Sequence, residues 1–174
     1  ANVEERLYKW WESSGFFKAN PNPDKKPFTI IMPPPNVTGE LHLGHALFAA
    51  VEDVLTRYHR MQGFEALWLP GKDHAGIATQ MVVERALAEE GLDRHQLGRD
   101  KFLESVWAWV GQCGGSSDNR LRRRGVSCDW SRLTFALDPG PSKAVRTTFK
   151  SLYDKELIYR GERMINWCVT CRTA

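Results

Sequence analysis

The sequence predicts an α/β fold built on a parallel sheet with crossover helices. Three observations lead there. Phe28 to Met32 (FTIIM) is a continuous apolar, β-branched run, the pattern of a buried parallel strand. Leu47, Val51, Val54, Leu55, Tyr58 and Met61 then fall at i, i+4, i+7, i+8, i+11 and i+14, which is a helical stripe. Glu65 to Leu69 (EALWL) reads as a second strand. Strand, helix, strand with short joints is the pattern of a parallel pair.

With 174 residues, the chain is long enough for one domain with a real core, or one domain and part of another. Hydrophobic residues at 42% and a net charge of only +3 exclude the disordered class. That charge is also too small to argue nucleic-acid binding by itself. No apolar run approaches the ~20 residues of a membrane helix. The N-terminus has no apolar region of the secretory kind. The four cysteines, Cys113, Cys128, Cys168 and Cys171, form no disulfide framework, so a reducing cytoplasm is expected.

The elements follow in order. Residues 1–20 read as a short helix with Leu7, Trp10 and Trp11 on one face, ended by Gly15. Asn20 to Pro27 is a loop rich in Pro and Asn. The first strand is stopped by Pro33, Pro34 and Pro35, which cannot donate to a ladder. A tight loop, Asn36 to Glu40, leads to a helix beginning near His42 and capped near Gly63. Pro70 and Gly71 end the second strand. Ile77 to Glu90 reads as a helix closed by Gly91, and Trp68 as core. Gly98 to Val110 is expected to be helical. Gly111 to Asn119 (GQCGGSSDN), with three glycines in nine residues, reads as a flexible break. Ser142 to Leu157 reads as a helix, and Leu157 to Ile165 as a strand or extended segment. No internal repeat is present.

The informative block is Pro33 to Ala46 (PPPNVTGELHLGHA). It places a Pro-terminated strand end and a Gly-containing turn before a helix N-terminus. Ligands of open α/β sheets bind beyond the carboxyl ends of strands, and helix N-termini attract phosphates. His42 and His45 are three residues apart and lie on one face of the first turn. Gly44 lets a flat ring approach the backbone. Two imidazoles there can stabilise charge building on a phosphate under attack. By themselves the two histidines are equally a solvated pair or half of a metal site.

HLGH after the PPPN strand end resembles the His-Ile-Gly-His signature of class I aminoacyl-tRNA synthetases. The longer string PPPNVTGELHLGHAL, with RYHRMQGFEALWLPGKDHAGIATQMVVER, CDWSRLTF and NWCVTC, resembles the valyl-tRNA synthetase family more than its isoleucyl or leucyl relatives. The resemblance runs over essentially the whole chain. It implies the first half of a Rossmann-like nucleotide-binding sheet, ending at the start of the connective, editing insertion. The expected boundaries are an N-terminal helix and loop over 1–27, the first half of the catalytic domain over 28–165, and the start of the insertion over 166–174. The implied activity joins valine to ATP, giving valyl-adenylate and pyrophosphate, and then esterifies tRNA(Val). The long family members are expected to be monomers with no membrane association. A chain with this half alone, lacking the Lys-Met-Ser-Lys-Ser loop, is expected to be weak or inactive.

Residue by residue, the resemblance implies that His42, Gly44 and His45 hold ATP with its Mg2+. The two histidines would be the catalytic pair, with Asn36 and Thr38 on the nucleotide-facing loop. Asn36 and Thr38 are equally ordinary turn formers. Asp73 would pair with the valine ammonium, helped by carbonyls near Pro34 and Pro35. Its plainer role is a cap on the Ile77 helix. His74 is second to these, or structural. Cys168 and Cys171 have the spacing of a zinc half-site, and structural zinc needs four ligands. Plain thiols serve as well. Cys113 and Cys128 read as small buried or loop residues. Arg122, Arg123 and Arg124 are a solvated basic face or a contact to acceptor-stem phosphates. Two rival functions stand beside this one. One is a class I ligase for another aliphatic amino acid such as isoleucine. The other is a nonenzymatic nucleic-acid or zinc-binding module.

Overall fold

A parallel β–α–β unit organises the chain. The computed structural model describes residues 2–39, 41–170 and 174. Strand β1 (Pro27–Ile31) pairs in parallel with β2 (Glu65–Leu69), with Pro27 opposite Glu65 and Ile31 opposite Leu69. Helix α2 (Leu43–Met61) makes the crossover and packs on both strands. The strand, helix and strand stand where the sequence pattern puts them, and Glu65–Leu69 coincides with the expected run. Gly63 follows α2 at φ +85°, a left-handed conformation that favours glycine.

The pairing continues past the strand ends. The Met32 N–H donates to Leu69 O at 2.9 Å, the Asp73 N–H to Pro35 O at 3.0 Å and the Val37 N–H to Asp73 O at 3.1 Å. Gly71 does not end the extended chain. It opens β3 (Gly71–Lys72), which pairs in parallel with β4 (Thr134–Phe135). Among the described residues β1 has one neighbour, and it alternates between exposed and half-buried rather than being buried throughout.

Helix α1 (Asn2–Ser13) docks by Tyr8 and Trp11, not by Leu7 and Trp10, which are exposed. Tyr8 Oη donates to Val126 O at 2.6 Å and accepts from Trp130 Nε1 at 2.6 Å. One buried phenol thus closes two partners, and its burial raises the phenol pKa. The core gathers Tyr8, Phe17, Met32, Ala49, Trp68, Leu121, Val126, Cys128 and Trp130. Each large apolar side chain taken out of water here contributes about 2 kcal/mol. A smaller cluster joins α3 (Ile77–Glu89) to the long helix α5 (Arg99–Arg123) through Val83, Leu87 and Phe102. A short helix, α4 (Arg94–Leu97), leads into α5.

The expected break at Gly111–Asn119 is absent, because α5 runs through it. Gly114, Ser117 and Leu121 form its buried face, and Lys72 Nζ donates to Gly114 O at 2.9 Å and to Asp118 Oδ2 at 2.7 Å. A Cβ on Gly114 would sit 3.5 Å from that ammonium. Glycine and serine let α5 approach β3 closely, and the tertiary contact outweighs their weak helix propensity. The apolar stripe that marks α2 as a helix is not its inward face. Leu47, Val51, Val54, Leu55, Tyr58 and Met61 are 43 to 80% exposed. The opposite face is turned inward. Asp53 Oδ1 accepts from the Ser127 N–H at 3.0 Å, and Arg57 donates to Gly125 O at 2.7 Å. Arg60 donates to Ser127 Oγ at 2.7 Å and Ser127 O at 2.8 Å, and Trp68 Nε1 donates to Glu52 at 2.8 Å.

The chain divides into two compact units, Ala1–Leu137 and Asp138–Ala174. The second contains α6 (Pro139–Asp154), started by proline in its first turn and ending three residues before the expected Leu157. Leu157–Ile165 forms no strand. Among the described residues no helix is long and apolar enough to cross a membrane.

Candidate functional site

The carboxyl ends of β1 and β2 carry two of the expected groups side by side. Asn36 and Asp73 form an isolated parallel bridge directly beyond the β1–β2 pair. The intervening prolines force this extended path, since their φ is fixed and none donates a ladder bond. Pro35 is buried and Pro34 exposed. The Pro35 carbonyl accepts from the Asp73 backbone, so the strand ends are locked together there. Val37 is buried, and its carbonyl accepts from Trp109 Nε1 at 3.0 Å. A tryptophan of α5 therefore fixes the loop that carries Asn36 and Thr38, a role no local sequence signal indicates.

Asp73 does not cap α3. The N-cap of α3 is Gly76, which has no side-chain capping bond. Asp73 Oδ1 instead accepts from the Ala75 N–H at 3.0 Å and lies 3.4 Å from His74 Nδ1. The carboxylate stays 42% exposed. Ala75 adopts φ +55°, uncommon for a residue with a Cβ and a local strain. The turn is held by Thr79, which is buried and donates to His74 O at 2.7 Å.

His42 is the N-cap of α2, and its Nδ1 accepts from the Gly44 N–H at 3.1 Å. His45 sits at the third helical position, and its Nδ1 accepts from the His42 N–H at 3.1 Å. The two residues thus form a reciprocal capping box built from imidazoles. Their ring centroids are 3.9 Å apart. Burial, and then the neighbouring His42, lower the His45 pKa. Gly44 is needed for a reason other than the one its position suggests. A Cβ there would come within 2.8 Å of His42 Cε1, so the ring it admits is the capping imidazole.

The histidines border a cleft of about 480 Å³, lined also by Glu4, Arg120, Leu121, Arg123 and Arg124. The expected basic face of α5 is divided in use. Arg122 pairs with Glu12 at 3.0 and 3.1 Å and lies 4.0 Å over the Trp130 ring, so its charge is engaged within the fold while the side chain stays 31% exposed. Arg124 donates to Ala46 O at 3.0 Å, beside the histidines. Cys128 is buried, and burial raises its thiol pKa. Cys113 is half-buried, and Cys168 is exposed. Cys171 lies outside the described residues, so the Cys168–Cys171 half-site is described at one thiol alone. Among the described residues no group of three or more His, Cys, Asp or Glu is placed to hold a metal.

Residues 6–174 match the family described as tRNA synthetases class I (I, L, M and V). The chain is 62% identical over 174 residues to the valine–tRNA ligase of Dehalococcoides mccartyi strain 195, covering all of this chain and 20% of that one. It is 55% identical over 172 residues to the valine–tRNA ligase of Geobacter sulfurreducens, covering 99% of this chain and 19% of the relative. With the chloroplastic/mitochondrial valine–tRNA ligase 2 of Arabidopsis thaliana the identity is 56% over 171 residues, 98% of this chain and 18% of that one. The chain thus spans about a fifth of the length of the curated relatives it matches. Its fold is similar to that of the agnB2 LeuRS of Agrobacterium radiobacter K84, crystallised in a ternary complex with tRNA and LeuAMS. The TM-score is 0.80 at 20% identity, over 97% of this chain and 20% of that one.

Proposed function

The chain belongs to the class I tRNA synthetases of the Ile, Leu, Met and Val group, and from that membership we propose that it carries the first half of a valyl-adenylate site. In this proposal valine and ATP react to valyl-adenylate and pyrophosphate, and valine then passes to tRNA(Val). The observation that carries it is the His42–His45 capping box at the start of α2, with Asp73 bridged to Asn36 beyond the paired strand ends. The valine specificity draws its support from the 55 to 62% identity to valine–tRNA ligases over nearly the whole chain.

His42 and His45 are proposed to meet the ATP phosphates as the catalytic pair, with Gly44, Asn36 and Thr38 in the nucleotide wall. Arg123 and Arg124 add positive charge to the cleft that the two histidines border. The exposed Asp73 carboxylate is proposed to bind the valine ammonium beside Pro34 and Pro35, a charge-assisted bond. Catalysis is then mainly positioning and charge stabilisation, with no covalent enzyme intermediate. Magnesium would arrive on the ATP phosphates. A zinc on Cys168 and Cys171 would need two further ligands. We place the protein in the cytoplasm, as a monomer at the relatives' length. Residues 28–165 are taken as the catalytic half-domain, with 1–27 before it and 166–174 opening an insertion.

Calorimetric titration with a non-hydrolysable valyl-adenylate mimic tests the site. Asp73→Asn should weaken binding ten- to a hundredfold, from about 1.5–3 kcal/mol of charged hydrogen bonding. Equal binding of valyl, isoleucyl and alanyl mimics, or no effect of the substitution, would overturn the assignment.

A further inference from the structure

We propose that the capping box fixes His42 and His45 as neutral Nε2–H tautomers, so that both act on a phosphoryl ligand as hydrogen-bond donors and neither as a base nor as an imidazolium. The inference deepens the proposed phosphate role of these residues and rests on it for its chemical consequence alone.

The geometry requires the tautomer. Backbone N–H groups only donate. The Gly44 N–H points at His42 Nδ1, and the His42 N–H points at His45 Nδ1, each at 3.1 Å. A nitrogen that accepts such a bond must hold a lone pair, so the ring proton sits on the other nitrogen, Nε2. Adding a proton at Nδ1 would set N–H against N–H and open the first turn of a 19-residue helix. Turning either ring over would set a ring C–H against the donating backbone N–H and lose the bond. His42 lies over the Cα of Gly44, where a Cβ would collide, and His45 is held between His42 and Phe48, with the Phe48 centroid at 5.8 Å.

The surroundings favour the neutral form of His45. The pair sits at the positive end of the α2 dipole. Across the cleft stand Arg120, Arg123 and Arg124, with Glu4 the acidic residue among its lining. Burial and the adjacent ring act on His45 in the same direction. The far end of the same helix supplies a contrast. His59 Nδ1 lies 2.8 Å from Leu55 O, and a carbonyl only accepts, so His59 must carry its proton on Nδ1. One helix therefore holds opposite tautomers at its two ends.

The arrangement also separates two duties of each ring. Asparagine at an N-cap supplies an acceptor where Nδ1 stands, and glutamine at the third position completes a capping box. His42→Asn and His45→Gln should keep the cap and lose the Nε2–H donors. His42→Ala should lose both.

Long-range 1H–15N correlation on the chain labelled with 15N-histidine, at neutral pH, tests the inference, with the two substitutions assigning the signals. The expected result is Nε2–H for His42 and His45 with Nδ1–H for His59. His42→Ala should lower Tm by about 3 °C, and His42→Asn should restore it. An Nδ1–H or imidazolium form of His42 or His45 would overturn the inference, as would failure of asparagine to restore Tm. A His59 with the same tautomer as the other histidines would overturn the helix geometry beneath it. Because these readouts do not use activity, they stand apart from the adenylate assignment. The expected tautomers in a protein that binds no adenylate mimic would defeat that assignment alone.

Discussion

One face of α2 carries Asp53, Thr56, Arg57 and Arg60 and is turned toward Ser127 and the core, while the other carries Leu47, Val51, Val54, Leu55, Tyr58 and Met61 and is open. Periodicity identified the helix, and the apolar stripe that marks it lies on the open face. Apolar spacing reports that a stripe is suited to burial, not what buries it. The inward face is held because each polar group there has a partner. Arg60, whose pKa burial and Arg57 lower, donates to both Ser127 oxygens, and Glu52, raised by burial, accepts from the fully buried Trp68. Buried polar groups so satisfied do not oppose folding.

The largest effect that separates the faces should come from Asp53→Ala. It strips acceptors from Ser127 and Arg57 and should cost about 3 kcal/mol in urea unfolding. A loss below about 1 kcal/mol would mean the polar face is not the buried one. On the open face, Val54→Ser should change stability by less than about 0.5 kcal/mol. A larger, concentration-dependent loss would show that stripe covered by a second copy.

Between these extremes lies the glycine stretch of α5. Gly111 and Gly115 have nothing within 4 Å of an added Cβ, so alanine at each should stabilise by about 0.5–1 kcal/mol. Destabilisation in thermal melts would argue that the segment is not helical. A subtler effect concerns pH. The folded pKa of His45 lies below its ordinary 6.5, so the unfolded chain binds the proton first. Stability is fully present above about pH 6.5 and falls as pH drops through the folded pKa. In His45→Gln that part of the decline should vanish, and an unchanged pH profile would count against the cap.

Which parts were legible follows from the same physics. Glu65–Leu69, the start of α2 and its end before Gly63 are set by local pattern and turn chemistry, and they stand as expected. Long-range partners were not legible. Tyr8 displaces Leu7 and Trp10 because its hydroxyl meets Val126 and Trp130, more than a hundred residues away. Gly111–Asn119 is helical because Lys72 and Asp118 meet across its small residues. At the candidate site the HLGH residues were visible in the sequence, while the reason for Gly44 and the hold of Trp109 on the Asn36 loop came from packing.

The most direct test of the adenylate assignment is amino-acid-dependent ATP–pyrophosphate exchange, measured at the relatives' length with valine, isoleucine, leucine and threonine. Valine should drive exchange best, and His45→Ala should lower it about 10²–10³-fold, the loss expected for one preorganised donor. Exchange driven best by isoleucine, or a His45→Ala loss below about threefold, would contradict the account.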